Sequence, residues 1–366
     1  QDLATFYFER ARAAREIGRI GQTISDFRLA AEYSQAGHPR RLRILDELVV
    51  AENTGGNFLN ALRLRESFPA GQSTGWRITK HVSIACYLSS IGDIGNARKN
   101  FARAEEIYDE WRRARPSDLR RHELTAILEH CRAWILLDDG KPARAETARR
   151  KAIAAREADI PLHRERMLRG WDTTQPEYHA YFREREERDL ATILRRRERF
   201  FEAEIVARDN LRRVLQRVGR DSPEAGAVVQ LLGQIMMDQG RYAEAAALAR
   251  VALDIRLKAG MVPEARPLAG GRGLLATALV MRRQYAEAVR EFEAMQSGLD
   301  TDRELAGRLP RGNQLWALAL MRTGRAPEAI AMLETIVARI GERLGASHYL
   351  TAQARGFLAM ALAVDG

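Results

Sequence analysis

An all-α chain wound into a right-handed superhelix of about eight and a half helix-turn-helix units is what this 366-residue sequence predicts. Three observations carry that prediction. A turn residue, usually Gly, recurs along the chain; an apolar or aromatic residue stands two positions after most of these turns; and a small residue stands five positions after. Segments with helical periodicity and a strong turn, each too small to bury its own apolar face, must stack on their neighbours.

The units follow in order. "GRIGQTISDFRLAAEY" opens at Gly18, "GNFLNALRLRESF" at Gly56 and "GDIGNARKNFARAEEIY" at Gly92. "GKPARAETARRKAIAA" opens at Gly140, "ERFFEAEIVARDNL" at Glu198 and "GRYAEAAALARVAL" at Gly240, then "RQYAEAVREFEAM" at Arg283 and "GRAPEAIAMLETIV" at Gly324. Each stretch reads as a turn and the second helix of a pair, with the first helix before it. Ile20, Phe58, Ile94, Phe200, Tyr242 and Tyr285 stand two after the turn, and Thr23, Ala61, Ala97, Ala145, Ala203, Ala245, Ala288 and Ala329 five after. Seven before it stand Ala11, Ala85, Ala133, Ala191, Gly233, Ala276 and Ala317, with Val49 the exception. Small residues at both places let antiparallel helices approach closely, and a Leu there overpacks by about 1 to 3 kcal/mol. Glu198 and Arg283 replace the turn Gly, so two turns must be made by residues carrying a Cβ. The closing "GFLAMALAVDG" repeats the first-helix pattern, with Ala359 at the small position and Gly366 at the turn, and predicts half a unit belonging to a longer chain.

The turn Gly, the Tyr two later, the second-helix Ala and the pair Leu232-Gly233 together resemble the tetratricopeptide repeat. The last four turn-to-turn intervals, 42, 43, 41 and 42 residues, resemble the 42-residue variety of kinesin light chains and many bacterial proteins. "LGASHYLTA" supplies Leu344, Gly345, His348, Thr351 and Ala352 of that variety's Leu-Gly-x-x-His-x-x-Thr-Ala signature. The resemblance implies that first helices line a concave groove holding an extended or helical peptide, hence a protein or peptide partner. Carried over position by position, the groove comprises Asp46 and Val50, then Val82, Cys86 and Ser89, then His130, Trp134 and Asp138. Arg188, Thr192 and Arg195 follow, then Gln230, Gln234 and Met237, then Thr277 and Met281, then Gln314, Leu318 and Arg322. Amides and Met suit backbone hydrogen bonds and adaptable apolar contacts. Met237 and Met281 suit helix contacts equally, and Trp134 suits the core better. The Lys and Asn set with which chaperone-binding relatives hold a C-terminal carboxylate is absent. The Ala/Arg-rich array is also similar to those preceding a caspase-like CHAT protease domain in bacteria, which implies an in-cis C-terminal effector domain under its control.

One interval, 58 residues, is the longest. It contains "DIPLHRERMLRGWDTTQPEYHAYFREREERD", in which Pro161, Gly170 and Pro176 interrupt the helical pattern. This predicts divergent N-terminal repeats over 1–160, an irregular insert over 161–183 and 42-residue repeats over 184–366. Trp171, Tyr178, Tyr181 and Phe182 in the insert read either as anchors for a partner or as caps on the stack.

Composition narrows the function. The formal charge is +10, and Lys occurs only at 80, 99, 141, 151 and 258, so nearly all 59 basic residues are Arg. Such a balance attracts nucleic acid. The interleaving with Glu in "REREERD", "LRRRERF" and "HRERMLR" instead reads as solvated helix faces with i, i+4 pairs, so nucleic acid is the second reading. Cys86 and Cys131 are too few for a disulfide framework and wrongly spaced for zinc, and read as small buried residues. No His, Cys or Gly-rich arrangement matches a catalytic or phosphate-binding motif; "GGRG" at 270–273 reads as a loop running into a helix, and Cys131 beside His130 points elsewhere on a helix. A noncatalytic chain without cofactor or metal is expected. No apolar run approaches the roughly 20 residues that span a bilayer, and the compartment is not legible.

Overall fold

The computed structural model describes all residues except 1, 17–18, 36, 69–72, 171–176, 263–264, 302–311 and 366, and the described elements are helices. They pair as α1 (Leu3–Glu16) with α2 (Ile20–Tyr33), α3 (Arg41–Thr54) with α4 (Phe58–Glu66), and α5 (Thr74–Ser90) with α6 (Ile94–Ala114). Then come α7 (Arg121–Asp138) with α8 (Pro142–Leu168), α9 (Glu177–Arg196) with α10 (Phe200–Val218), and α11 (Pro223–Asp238) with α12 (Tyr242–Lys258). The array closes with α13 (Arg266–Met281) and α14 (Tyr285–Thr301), α15 (Gln314–Arg322) and α16 (Ala326–Leu344), and α17 (Tyr349–Asp365). The described residues form a right-handed superhelix of eight and a half pairs.

In each of the eight full pairs the first helix ends two residues before the turn position and the second helix opens two after it. The turn is built the same way along the array. The N–H following the turn residue donates to a carbonyl in the last turn of the first helix, as in Asp93 to Leu88 (2.9 Å), Arg199 to Leu194 (3.0 Å), Arg241 to Met236 (2.8 Å) and Gln284 to Leu279 (2.9 Å). This closing bond needs a left-handed residue in the turn. Glycine supplies it at 240 (φ 75°), while Glu198 (φ 60°) and Arg283 (φ 61°) adopt it despite their side chains. The turn geometry is thus held even where Gly is missing. The small positions are buried throughout, from Ala11 and Thr23 to Ala317 and Ala329.

Second helices are tied to one another by a recurring Arg fork that no local pattern announces. Arg199 pairs with Glu202 of its own helix and reaches back to Glu146 (3.0 Å); Arg241 pairs with Glu244 (2.6 Å) and Glu204 (3.1 Å); Arg325 pairs with Glu328 (2.6 Å) and Glu293 (2.7 Å). The Arg surface is therefore largely neutralised by its neighbours.

The array also touches itself. Gly21 N–H donates to the Ala259 carbonyl (3.2 Å), and a Cβ on Gly21 would fall 2.6 Å from the Gly260 oxygen. A Cβ on Gly56 would fall 2.3 Å from Cδ of Pro267, and the Arg266 guanidinium lies 6.0 Å from the Phe58 ring. The turns of the first two pairs thus meet the connection between α12 and α13, more than 200 residues away.

Two expectations are corrected. Pro161 does not break the chain but lies on the exposed side of α8, which runs on to Leu168, so much of the long interval is helix. "GGRG" lies inside α13, where Gly271 meets Leu253 and Gly273 meets Met295 in helix-helix contact. In α17, which packs on α16 and α15, Ala354 and Ala361 are buried and Ala359 is exposed.

Candidate functional site

First helices form the inner wall. α5 packs on α7, α9 on α11, α11 on α13, α13 on α15 and α15 on α17, whereas successive second helices make no comparable contact among the described residues. A stack curves toward the side on which its elements lie closer, so these helices face the concave groove.

Midway along that wall, charge is concentrated in the interior. Arg149 of α8 and Glu186 of α9 form an ion pair with both side chains fully buried, and Asp189 lies 3.6 Å from the same guanidinium. His130 joins from α7, with Nδ1 3.0 Å from Glu186. Arg185 Nη2 lies 2.7 Å from His130 Nε2, so both ring nitrogens face charged partners. Burial alone would raise the Glu186 pKa, but Arg149 and His130 outweigh it and hold the carboxyl well below the usual range. His130, Glu186 and Asp189 are spaced as metal ligands would be. Arg149 Nη1 nevertheless lies 2.5 Å from His130 Nδ1 and on Glu186, so a guanidinium already fills the space between them and supplies the positive charge.

Two thiols border this cluster. Cys86 of α5 and Cys131 of α7 are neighbours, and the Cys131 thiol donates to the Val82 carbonyl (3.8 Å). The Cys131 thiol, with help from His130 and Arg185 against burial, lowers the Cys86 pKa well below the ordinary thiol value; burial and its neighbour push Cys131 up. Cys86 is only half-buried. Reading the two cysteines as inert core residues missed this pairing, because it spans two helices 45 positions apart.

The predicted groove residues separate into two groups. His130 is consumed by the cluster, and the half-buried Trp134 ring lies 5.6 Å from the Arg149 guanidinium. Arg188 sits 3.5 Å from Asp189, the Thr192 hydroxyl donates to the Arg188 carbonyl (3.2 Å), and Arg195 pairs with Asp238 across to α11 (3.0 Å). Gln230 accepts from Arg256 Nη1, and the Thr277 hydroxyl donates back to Gly273 (2.8 Å). Gln234, Met237 and Gln314 are half-buried, whereas Met281 (43% exposed) and Arg322 are open. Of the insert aromatics, Trp171 and the Tyr178 side chain lie outside the described residues. Tyr181 and Phe182 stand on α9 and pack on each other edge to face (5.0 Å), under Arg217 (5.7 Å) and Arg156 (4.6 Å) respectively.

Sequence reasoning missed Arg149, Glu186 and Asp189, and it read "REREERD" and "HRERMLR" as solvated. Glu184, Glu186, Glu187 and Asp189 are in fact buried, with Glu184 held by Arg217 (2.6 Å) and Glu187 by Arg213 (3.1 Å). Asp159 and Arg166 are likewise buried and paired in two bonds of 3.1 and 3.0 Å. The available signal was that Glu186 has apolar residues, Phe182 and Leu190, at i−4 and i+4, on a helix covered by α8 and α10.

Stacked helix pairs crossing at small residues, with a groove walled by first helices, define an α-solenoid built for stacking rather than for enclosing a single core. Residues 231–259 match the family model described as tetratricopeptide repeat. No curated protein matches the sequence. In fold it is similar to the Cut9-Hcn1 assembly of the APC/C (14% identity, TM-score 0.59, covering 96% of this chain and 55% of that one). It is similar also to a Rap protein complexed with Competence and Sporulation Factor (12% identity, TM-score 0.56, covering 99% and 97%). A putative kinesin light chain from Podosopora anserina with nearly identical TPR-like repeats matches at 24% identity and TM-score 0.42, covering 50% of this chain and 87% of that one.

Proposed function

We propose that this chain is a noncatalytic protein-interaction scaffold that holds a peptide or protein segment in its concave groove. The observation that carries this reading is the division of the inner wall. Its middle is filled by internally satisfied charge, while Gln234 makes no hydrogen bond to another described residue and Met281 is exposed farther along. An amide and a thioether on successive first helices present hydrogen-bonding and adaptable apolar surface to an incoming backbone. The Rap protein of similar fold was solved with a factor bound, which supports the same use here. The forks at Arg199, Arg241 and Arg325 spend cations on neighbouring carboxylates, which favours protein over nucleic acid as the partner. The reading extends to control of an effector, attached or separate, such as a CHAT caspase-like protease; that extension rests on the resemblance of the Ala/Arg-rich array.

The test is capture from a peptide library by the immobilised chain. Gln234→Ala combined with Met281→Ala is expected to weaken the selected peptide about tenfold through the loss of two contacts. Equal capture by the double variant, or capture of nucleic acid in preference to peptide with a steep loss as salt rises, sinks the proposal.

A further inference from the structure

The extension of α8 beyond the usual repeat length lies against the first turns of α9, and a cavity of about 710 Å³ opens between them. That volume is typical of small-ligand pockets. Ile160, Met167 and Leu168 make an apolar wall and are themselves exposed, Leu168 by 84%, so the rim opens to solvent. His163 and His179, packed edge to face at 4.2 Å, line another part of the cavity.

At the edge of this cavity stands a cation with no carboxylate of a described residue at ion-pair distance. Arg156 is only 3% exposed, yet Nε and Nη1 have no hydrogen-bond partner and no described residue forms an ion pair with it. The guanidinium is held over the Phe182 ring (4.6 Å). The two carboxylates of the lining are already occupied, Glu184 by Arg217 (2.6 Å) and Glu157 by Arg183 (3.2 Å). Burying a charge with unmet donors is costly unless a partner arrives.

We propose that this cavity binds an amphiphilic monocarboxylate, its apolar body on Ile160, Met167 and Leu168 and its carboxylate on Arg156. None of the groove residues named above lines it. A free fatty acid and the C-terminus of a chain ending in an apolar residue both supply this chemistry.

The experiment titrates the whole chain calorimetrically with decanoate, with decanol, and with an octapeptide ending in Leu as free acid and as amide. Decanoate or the free-acid peptide is expected to bind, whichever does so naming the source, and the matching neutral probe about tenfold or more weakly, the usual cost of losing a charge-assisted hydrogen bond. Arg156→Gln is expected to erase that discrimination while melting no lower than the parent without ligand. Ala180→Trp, which fills the cavity and leaves Arg156 in place, is expected to abolish binding even if the first variant misfolds. Equal binding of acid and neutral probes, binding of neither acid, or full acid binding by a folded A180W overturns the proposal.

Discussion

Arg149 and Glu186, 37 positions apart and on neighbouring helices, form an ion pair from which water is wholly excluded. Removing one member leaves the other charged and buried. Arg149→Met or Glu186→Gln is therefore expected to destabilise by about 3 to 5 kcal/mol, and the double variant by less than the sum. Denaturant melts of the four proteins complete the cycle; additive losses would show that the two do not act as a pair.

The same pair predicts an acid response. Glu186 titrates far below its unfolded value of about 4.3, so its contribution is fully present above that value and is lost as pH falls toward the depressed folded value. The stability gap between parent and E186Q is expected to narrow steadily below about pH 4, followed by melting at stepped pH. A constant gap would contradict the assignment.

Cys86 has a lowered pKa and partial exposure, whereas Cys131 is buried and raised. Since the thiolate is the nucleophile, iodoacetamide at neutral pH is expected to label Cys86 first, with Cys131 following only on unfolding. Mass spectrometry of the two tryptic peptides decides it, and equal labelling of the native protein would refute it. His130→Ala should slow Cys86 labelling by withdrawing one of the groups that stabilise the thiolate.

Glu198 and Arg283 hold left-handed turns at φ of 60° and 61°. Replacing either by Gly relieves about 1 kcal/mol of strain, partly offset by greater freedom of the unfolded chain, so each variant should be slightly more stable. A fall in the melting temperature would mean that the side chains contribute more than the strain costs.

Gly21 and Gly95 both stand second in a second helix, but only Gly21 meets another segment, at Gly260. Gly95→Ala is expected to gain about 1 kcal/mol from helix propensity. Gly21→Leu should force the N-terminal pairs away from the 259–267 connection and enlarge the radius of gyration seen by X-ray scattering. An unchanged radius in a folded Gly21→Leu would show that this contact does not set the superhelical closure.

The sequence by itself determined the helix pairs, because the turn residue and the two small positions act within one unit: turn closure and helix crossing are local requirements. Even the replacements at Glu198 and Arg283 left that register intact. It also located a groove, since each first helix must face its successors. Only the tertiary structure decided which charges leave water. Glu186 and Glu187 look like surface residues in a run of Arg and Glu until α8 and α10 cover α9, and Cys86 meets His130 only when α5 and α7 stack. The self-contact of Gly21 with Gly260 depends on curvature accumulated over six pairs, a quantity that no single unit encodes. Burial and long-range pairing are sums over neighbours, and neighbours are what a repeat pattern leaves unspecified.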